Sequence, residues 1–431
     1  MLTGSYRKRL EADLVRWVGE GLLSADSAAA IRRSLVKEGG FKLPALLGMF
    51  GGLLIASSVA AFVAANWEEI PRVAKLVMIA CGIVAALGIS ARLESRGSRS
   101  GADSASTCGV LVFAAGVALV GQMYHLPTDW PGGSLLIAIG ALAVAVLQRS
   151  NGALAIALVA ICAWTVGRWD ETRGALQPGF FLLYLPALWL ALASGKRAVH
   201  HLAVLALGLW LSLLPGHWLG DSYSFDFGLL AYALAISVAY VAVGALTMDR
   251  GGLSLLTACL PWGLLGLVAM LCAELIRILD NELARAGSAI WLNYVAYAFA
   301  IAGVLAVVLL ARDKRFAWPL GGALLLSLLV PLVFWSGTGL ALPGKVFAAS
   351  LILITAIALV AAGATGGMRR LTTAGAGLFG ITVLILLWQT VGTLLHQSLF
   401  FLVAGAVLLA LASAARRLFA RLTRTTSGEA A

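Results

Sequence analysis

The sequence predicts an all-α fold, a polytopic bundle of transmembrane helices with both termini in the cytoplasm. Hydrophobic residues make up 61% of the 431 residues and charged residues only 12%, which is about half the charged share of a soluble domain. Apolar runs repeatedly reach the roughly 20 residues that a helix needs to cross a bilayer. The polar–apolar alternation of barrel strands is not seen along the sequence. Most of the chain is therefore expected to face lipid or other helices.

Residues 1–43 are polar and basic, and they predict a small cytoplasmic helical hairpin ahead of the membrane. Leu14 and Trp17 lie on one helical face, and Gly19-Glu20-Gly21 interrupts that pattern. Ser24 is a residue type that caps the start of a second helix. Because this segment is polar, we expect the first span to act as the membrane-targeting signal. The hairpin either rests on anionic headgroups or docks a cytoplasmic partner.

About fourteen spans follow, about five in residues 44–167 and about nine in residues 168–415, ahead of a basic cytoplasmic tail at 416–431. The fifth and fourteenth spans are predicted to be short and the ninth long. We expect Arg168-Trp169-Asp170-Glu171 to interrupt the chain between the fifth and sixth spans. The predicted spans are 44–65, 72–91, 105–124, 131–148, 152–167, 177–194, 199–218, 227–247, 253–278, 289–311, 317–335, 346–363, 371–391 and 398–415.

The distribution of Lys and Arg predicts the orientation of these spans. Of the 31 basic residues, 24 lie in the N-terminal segment, in the alternate loops on its side of the membrane and in the tail, and 7 lie on the other side. Cytoplasmic loops carry such an excess of Lys and Arg. The asymmetry predicts an even number of spans with cytoplasmic termini, and it accounts for the net charge of +11 without a nucleic-acid partner.

Neither a cofactor nor a metal centre is predicted. The five cysteines all lie inside apolar runs, without a Cys-x-x-Cys pair, and are expected to be packing residues. Phosphate-binding loops, zinc-protease helices and catalytic triads have no counterpart in the sequence. We therefore assign no catalytic residue.

Two turns on the predicted non-cytoplasmic side concentrate polar and aromatic residues. His125 with Asp129 four residues later suggests an acid–base pair or two metal ligands, but Pro127 between them disfavours a shared helical face. The alternative is an aromatic belt, since Trp and Tyr favour the headgroup level. The candidate outer-face cluster comprises Asn66, Trp67, Gln122, Tyr124, His125, Asp129 and Trp130.

Glu274 is the candidate polar residue inside the membrane, where ionisable groups mark ion and proton paths. It lies toward the outer end of its long span, so an interfacial ion pair with Arg277, three residues on, is the competing interpretation. Gln148, Asn293 and Gln389 are neutral, and we interpret them as hydrogen-bonding residues between helices.

Three stretches carry a resemblance to a known family. They are Trp17 with Gly21-Leu22-Leu23-Ser24, Phe62-Val63-Ala64-Ala65-Asn66-Trp67 with Ile70-Pro71 and Lys75, and Gly121-Gln122-Met123-Tyr124-His125-Leu126 with Asp129-Trp130-Pro131. Together they resemble the bacterial predicted membrane protein family, domain of unknown function twenty-one fifty-seven. The resemblance covers roughly residues 10–165 and implies a bacterial inner-membrane protein, with no established activity to carry over.

Three functions remain open at the level of sequence. The first is a non-catalytic scaffold or assembly partner for another envelope membrane protein, favoured by the scarcity of intramembrane charge. The second is a transporter or flippase of a hydrophobic or lipid-linked substrate, a class in which many members have a similar number of spans. The third is an outer-leaflet enzyme acting through His125 and Asp129, which the short loops disfavour. In each case the phospholipid bilayer is the partner of the chain.

Overall fold

The computed structural model describes residues 4–36, 70–125, 129–219, 227–249, 254–280, 291–311, 314–334 and 342–390. Every regular element in these ranges is an α-helix. The chain divides into two units, residues 1–75 and residues 76–431.

The first unit contains helices α1 (Gly4–Gly19) and α2 (Ala25–Val36), at the positions the sequence predicts. Leu14 is 1% exposed, as expected for the apolar face of α1. Ser24 caps α2, because its Oγ accepts a hydrogen bond from the backbone N–H of Ser27 at 3.2 Å. The two helices are thus set by an apolar stripe and a cap that are both visible in the sequence.

From residue 72 onward the described chain is a succession of helices joined by short connections. Their bounds are α3 Arg72–Ser95, α4 Arg99–Met123, α5 Trp130–Gln148, α6 Asn151–Glu171, α7 Gly179–Ser194, α8 Arg197–Leu219, α9 Phe227–Asp249, α10 Ser254–Thr257, α11 Cys259–Leu279, α12 Trp291–Leu310, α13 Ala317–Phe334, α14 Leu342–Thr365 and α15 Arg369–Thr390.

Within the described residues, 10 helices are long and apolar enough to cross a membrane. Two shorter apolar helices, Gly179–Ser194 and Ala317–Pro331, lie at the positions of the predicted sixth and eleventh spans. The prediction of a polytopic helical membrane protein is thereby confirmed. The predicted spans 44–65 and 398–415 lie outside the described residues.

Helix α6 differs from the prediction for the fifth span. We expected a short span at 152–167, followed by an interruption at Arg168-Trp169-Asp170-Glu171, and that expectation is wrong. The helix continues through these residues to Glu171. These charged residues occupy its last turn, where Arg168 pairs with both Asp129 and Glu171, so they do not end the helix. The helix that is shorter than expected is α7, with 16 residues.

The predicted long ninth span is confirmed, because Leu255–Leu279 is one membrane-length segment of 25 residues. A one-residue interruption lies near its start, since helix α10 ends at Thr257 and α11 begins at Cys259. Pro261 has no backbone N–H, and its ring clashes with the carbonyl four residues before it, which belongs to Thr257. The break therefore falls where the proline removes the helical hydrogen bond.

The described residues from 76 onward form two large hydrophobic cores in succession along the chain. The first involves α4 to α8 and is rich in buried alanines, with Ala141, Ala157 and Ala203 fully buried. Small side chains let membrane helices approach closely. The second core involves α9 and α11 to α15 and consists mainly of leucines and alanines from these helices.

A small cluster joins the two cores. Val204 of α8 packs with Ala258 and Cys259 at the break before α11. Beside them the indole Nε1–H of Trp262 donates to Nδ1 of His201 at 3.1 Å. The break therefore lies at the contact between the two halves of the bundle.

Candidate functional site

The turn between α4 and α5, residues 122–130, brings several candidate residues to one end of the bundle. The backbone N–H of Tyr124 donates to the carbonyl of Val120 at 3.1 Å and closes α4. His125 then adopts a left-handed backbone with φ 49°, a conformation that is uncommon for residues other than glycine. Gln122, Tyr124 and His125 are exposed, and residues 126–128 lie outside the described ranges.

Asp129 organises the start of α5. Its Oδ1 accepts from the backbone N–H of Gly132 at 2.8 Å, and its Oδ2 accepts from Nη2 of Arg168 at 2.9 Å. The other Arg168 nitrogen, Nη1, donates to Glu171 at 2.7 Å. The Gly132 hydrogen bond, helped by the Arg168 guanidinium and opposed by partial desolvation, lowers the pKa of Asp129. Asp129 is thus an ionised helix cap held in an ion pair.

The structure does not bring His125 and Asp129 together as an acid–base pair. Among the described contacts both Asp129 oxygens are taken by Gly132 and Arg168, and none involves the His125 imidazole. Two groups that exchange a proton as an acid–base pair must lie within hydrogen-bond distance of each other. The partner of Asp129 is Arg168, which lies in a different loop of the predicted topology.

Trp130 packs on the neighbouring helix. A side chain at Gly167 would collide with Trp130 and Pro131, so this glycine makes room for the Trp130-Pro131 corner. Trp130 remains 54% exposed. Such an indole, with one face packed and one face open, is typical of the membrane interface.

The turn after α6 meets the last turns of α8 at the same end of α6. The backbone N–H of Leu176 donates to Nδ1 of His217 at 3.3 Å, and Gly174 and Gly216 approach closely. The turns after α4 and α6 and the end of α8 therefore share one surface in the first half of the bundle. Asn66 and Trp67, the remaining predicted members of the outer-face cluster, lie outside the described residues.

Glu274 lies in the second core, where it is 0% exposed. Among the residues that the structure describes, neither of its carboxyl oxygens has a hydrogen-bond partner. The described contacts also lack the alternative ion pair between Glu274 and Arg277, because the side chain of Glu274 is buried in the core rather than exposed on the helix surface. A buried carboxyl without partners is unusual, since nearly all buried polar groups are hydrogen-bonded.

The position of Glu274 follows from the pattern of α11. Starting at Leu260, every fourth and then third residue along α11 lies on one face of the helix. Glu274 belongs to this stripe. Every member is at most 3% exposed: Leu260, Leu264, Leu267, Leu271, Glu274 and Ile278. This spacing was available in the sequence and would have placed Glu274 on the core face.

Other polar groups lie in the same core. Tyr297 of α12 is a buried member of this core, and its hydroxyl is 3.5 Å from the carbonyl of Leu328. Asn293, one turn before Tyr297, has an unpartnered Oδ1, and Thr382 of α15 has an unpartnered hydroxyl. Among the described residues of this core, buried polar atoms without a hydrogen-bond partner therefore lie on three helices, α11, α12 and α15.

The neutral amides behave as the sequence predicts. Gln148 donates to the carbonyl of Leu87 at 3.2 Å and Asn293 donates to the carbonyl of Gly228 at 3.1 Å. Gln389 donates to Asp280 at 2.8 Å. Their prediction as hydrogen-bonding residues between helices is confirmed.

The described residues contain no group of three or more His, Cys, Asp and Glu side chains that could hold a metal ion. The Asp129–Arg168–Glu171 network forms ion pairs at the membrane surface, and the carboxyl group of Glu274 could bind a proton.

Comparisons with known proteins agree with the resemblance seen in the sequence. No curated protein and no solved structure matches the chain. A protein family matches one region of the chain, which begins in α1 and ends within α6. This region includes the 122–130 turn and stops before α11. Residues 15–154 match the family described as predicted membrane protein, DUF2157.

Proposed function

We propose that this chain is a transporter or flippase of a hydrophobic or lipid-linked substrate in the bacterial inner membrane, with Glu274 binding a proton during the transport cycle. The observation that carries the proposal is the complete burial of Glu274, which has no hydrogen-bond partner among the described residues. An ionisable group inside a membrane protein is a functional candidate because it is costly to keep there.

Burial of Glu274 favours transport over a purely structural role. A scaffold would be more stable with an apolar residue at this position of the α11 stripe, since an unsatisfied buried polar group costs about 1–3 kcal/mol. The scaffold hypothesis drew its support from a scarcity of intramembrane charge, and Glu274 removes part of that support. A substrate that is itself mostly apolar would need few other buried charges.

An enzyme acting through His125 and Asp129 receives no such support. Asp129 is held by Gly132 and Arg168, and freeing it for proton transfer would break both contacts. The short turns around it offer little material to enclose a polar substrate.

Movement of a fluorescent phospholipid between the leaflets of proteoliposomes tests the proposal. The wild type should accelerate this movement, and Glu274→Gln should reduce the rate at least tenfold, the effect of about 1.4 kcal/mol on a barrier. Glu171→Gln, an exchange at an exposed carboxylate, should leave the rate within twofold. The melting temperature of Glu274→Gln should be no lower than that of the wild type.

An inactive wild type would contradict lipid transport. Equal rates for the wild type and Glu274→Gln would contradict the role of Glu274, even if transport occurs.

The proposed topology has about fourteen spans with both termini in the cytoplasm. Its support is the 24 to 7 distribution of Lys and Arg and the agreement of the described helices with the predicted spans. Single cysteines at Ser98 and Thr172, in a cysteine-free background, should be labelled from opposite sides of the membrane. Labelling of both from one side would refute this topology.

A non-catalytic scaffold or assembly partner in the envelope is the second candidate. It is favoured by the exposure of Tyr124 and Trp130, at 44% and 54%, on a surface that lies at the ends of several helices. Aromatic residues are enriched where proteins associate. A stoichiometric membrane protein that co-purifies with the wild type and is lost with Trp130→Ala would support this function, and retention of that protein would count against it.

A further inference from the structure

A cavity of about 960 Å³ lies in the first half of the bundle, at the end opposite the 122–130 turn. It is bordered by the turns that join α3 to α4, α5 to α6 and α7 to α8. Its volume is within the range of pockets that hold small molecules and lipid headgroups.

Three cations line this cavity, and each comes from a different turn: Arg99, Arg149 and Lys196. All three are exposed, and none of them has a salt bridge within the described part of the chain. Positive charges that border the same cavity repel one another, and an anion bound between them would reduce this repulsion.

Two carboxylates also line the cavity, but one of them is already engaged. Asp103 accepts from the hydroxyl of Ser150 at 2.7 Å and from the backbone N–H of Gly152 at 3.0 Å. It therefore stabilises the first turn of α6 and leaves Glu94 as the only other carboxylate among the lining residues. The lining keeps an excess of positive charge.

The wall of the cavity on the helix side is apolar. Val146 of α5 and Trp189 of α7 line it, with exposures of 50% and 67%. Both lie within one or two turns of the cations along their helices. Cations at a helix end next to an exposed apolar wall match an amphiphile with an anionic head and a hydrocarbon tail.

Arg149 is held in an unusual conformation. It closes α5 with φ 47° and ψ 36°, a left-handed conformation that glycine adopts most easily. An arginine here costs backbone free energy that glycine would avoid, and it places a guanidinium at the cavity. Such strain suggests a function for the side chain rather than for the fold.

We propose that this cavity binds the headgroup of an anionic phospholipid, with Arg99, Arg149 and Lys196 around the phosphate and the acyl chains along Val146 and Trp189. The site lies apart from Glu274 and does not depend on transport. Charge complementarity and the apolar wall together indicate a lipid rather than a soluble anion.

Native mass spectrometry of the full chain in detergent, titrated with phosphatidylglycerol or phosphatidylcholine, tests this site. The wild type should prefer phosphatidylglycerol. Arg149→Gly should weaken phosphatidylglycerol binding roughly fivefold, the effect expected from one basic residue near an anionic lipid. Because glycine suits the left-handed conformation, this variant should fold at least as well as the wild type.

Arg173→Gly is the matched control. Arg173 also has a left-handed backbone, with φ 51°, but it lies at the other end of α6. This variant loses the same charge and relieves the same kind of strain, and its phosphatidylglycerol affinity should equal that of the wild type. Equal losses in the two variants would overturn the proposal, because they would show a general effect of net charge.

Two further measurements decide the sign of the charge effect and the nature of the ligand. Glu94→Gln removes the second carboxylate of the lining and should strengthen phosphatidylglycerol binding, and a weaker binding would contradict the proposal.

Soluble glycerol phosphate should not compete with the lipid. Effective competition by glycerol phosphate, or equal affinity for phosphatidylcholine, would overturn the assignment to an anionic lipid.

Discussion

At the scale of single residues, one carboxylate at Asp129 has two structural roles. It caps α5 through Gly132, and it ties the end of α6 to that cap through Arg168. The cap is of a type that can be recognised in the sequence, because Asp before Trp-Pro is a common helix start. The ion pair was not predictable, since Asp129 and Arg168 are 39 positions apart and belong to different predicted loops.

The lowered pKa of Asp129 predicts a pH dependence of stability. A carboxyl whose pKa is lower in the folded state stabilises the fold above its unfolded pKa, about 3.9, and this stabilisation is lost as the pH falls through the folded value. Asp129→Asn keeps a capping side chain and loses the charge, whereas Asp129→Ala loses both. We expect melting temperatures at pH 7 in the order wild type, Asp129→Asn, Asp129→Ala.

The difference between the wild type and Asp129→Asn should shrink as the pH is lowered from 7 to 3. A difference that stays constant over this range would show that the charge of Asp129 does not stabilise the fold.

At the scale of elements, the packing of α9 against α11 depends on glycines. A side chain at Gly263 would lie 2.6 Å from the backbone nitrogen of Val241 and 2.9 Å from the carbonyl oxygen of Ser237. Both are main-chain atoms, so neither can move aside without separating the helices. Close approach of this kind is usual between membrane helices with small residues at the contact.

Gly263→Ala should therefore lower the free energy of unfolding by about 1–3 kcal/mol through overpacking. Gly322→Ala is the matched control, because nothing lies within 4 Å of a side chain added in the middle of α13. There alanine should stabilise the helix by up to about 1 kcal/mol. Thermal unfolding in detergent should show shifts of opposite sign, and shifts of the same sign would mean that the α9–α11 contact is not close.

Hydropathy was sufficient to place the described membrane helices, because length and apolar composition alone determine whether a helix can cross lipid. It failed at one boundary. It ended the fifth span at residue 167, although α6 continues to Glu171, since a charged last turn is stable when Arg168 has two carboxylate partners.

At the scale of the whole bundle, the two cores differ in composition. Alanines make up most of the buried residues of the first core, whereas leucines and alanines are about equally common in the second. Sequence alone identified Glu274 as a candidate but placed it at the interface with Arg277. The contacts of α11 with α9 and α15 in the second core are long-range, and no local pattern specifies them.

A transporter must expose its substrate site to one side of the membrane during its cycle, so a functional Glu274 cannot remain permanently enclosed. A lipid-soluble carbodiimide modifies protonated carboxyl groups, and the modified residue can be located by mass spectrometry. With the full chain in liposomes, we predict that Glu274 is modified and that the rate rises as the pH is lowered. Modification of exposed Glu171 without any modification of Glu274 would show that the buried carboxyl is never accessible, and would contradict its role in transport.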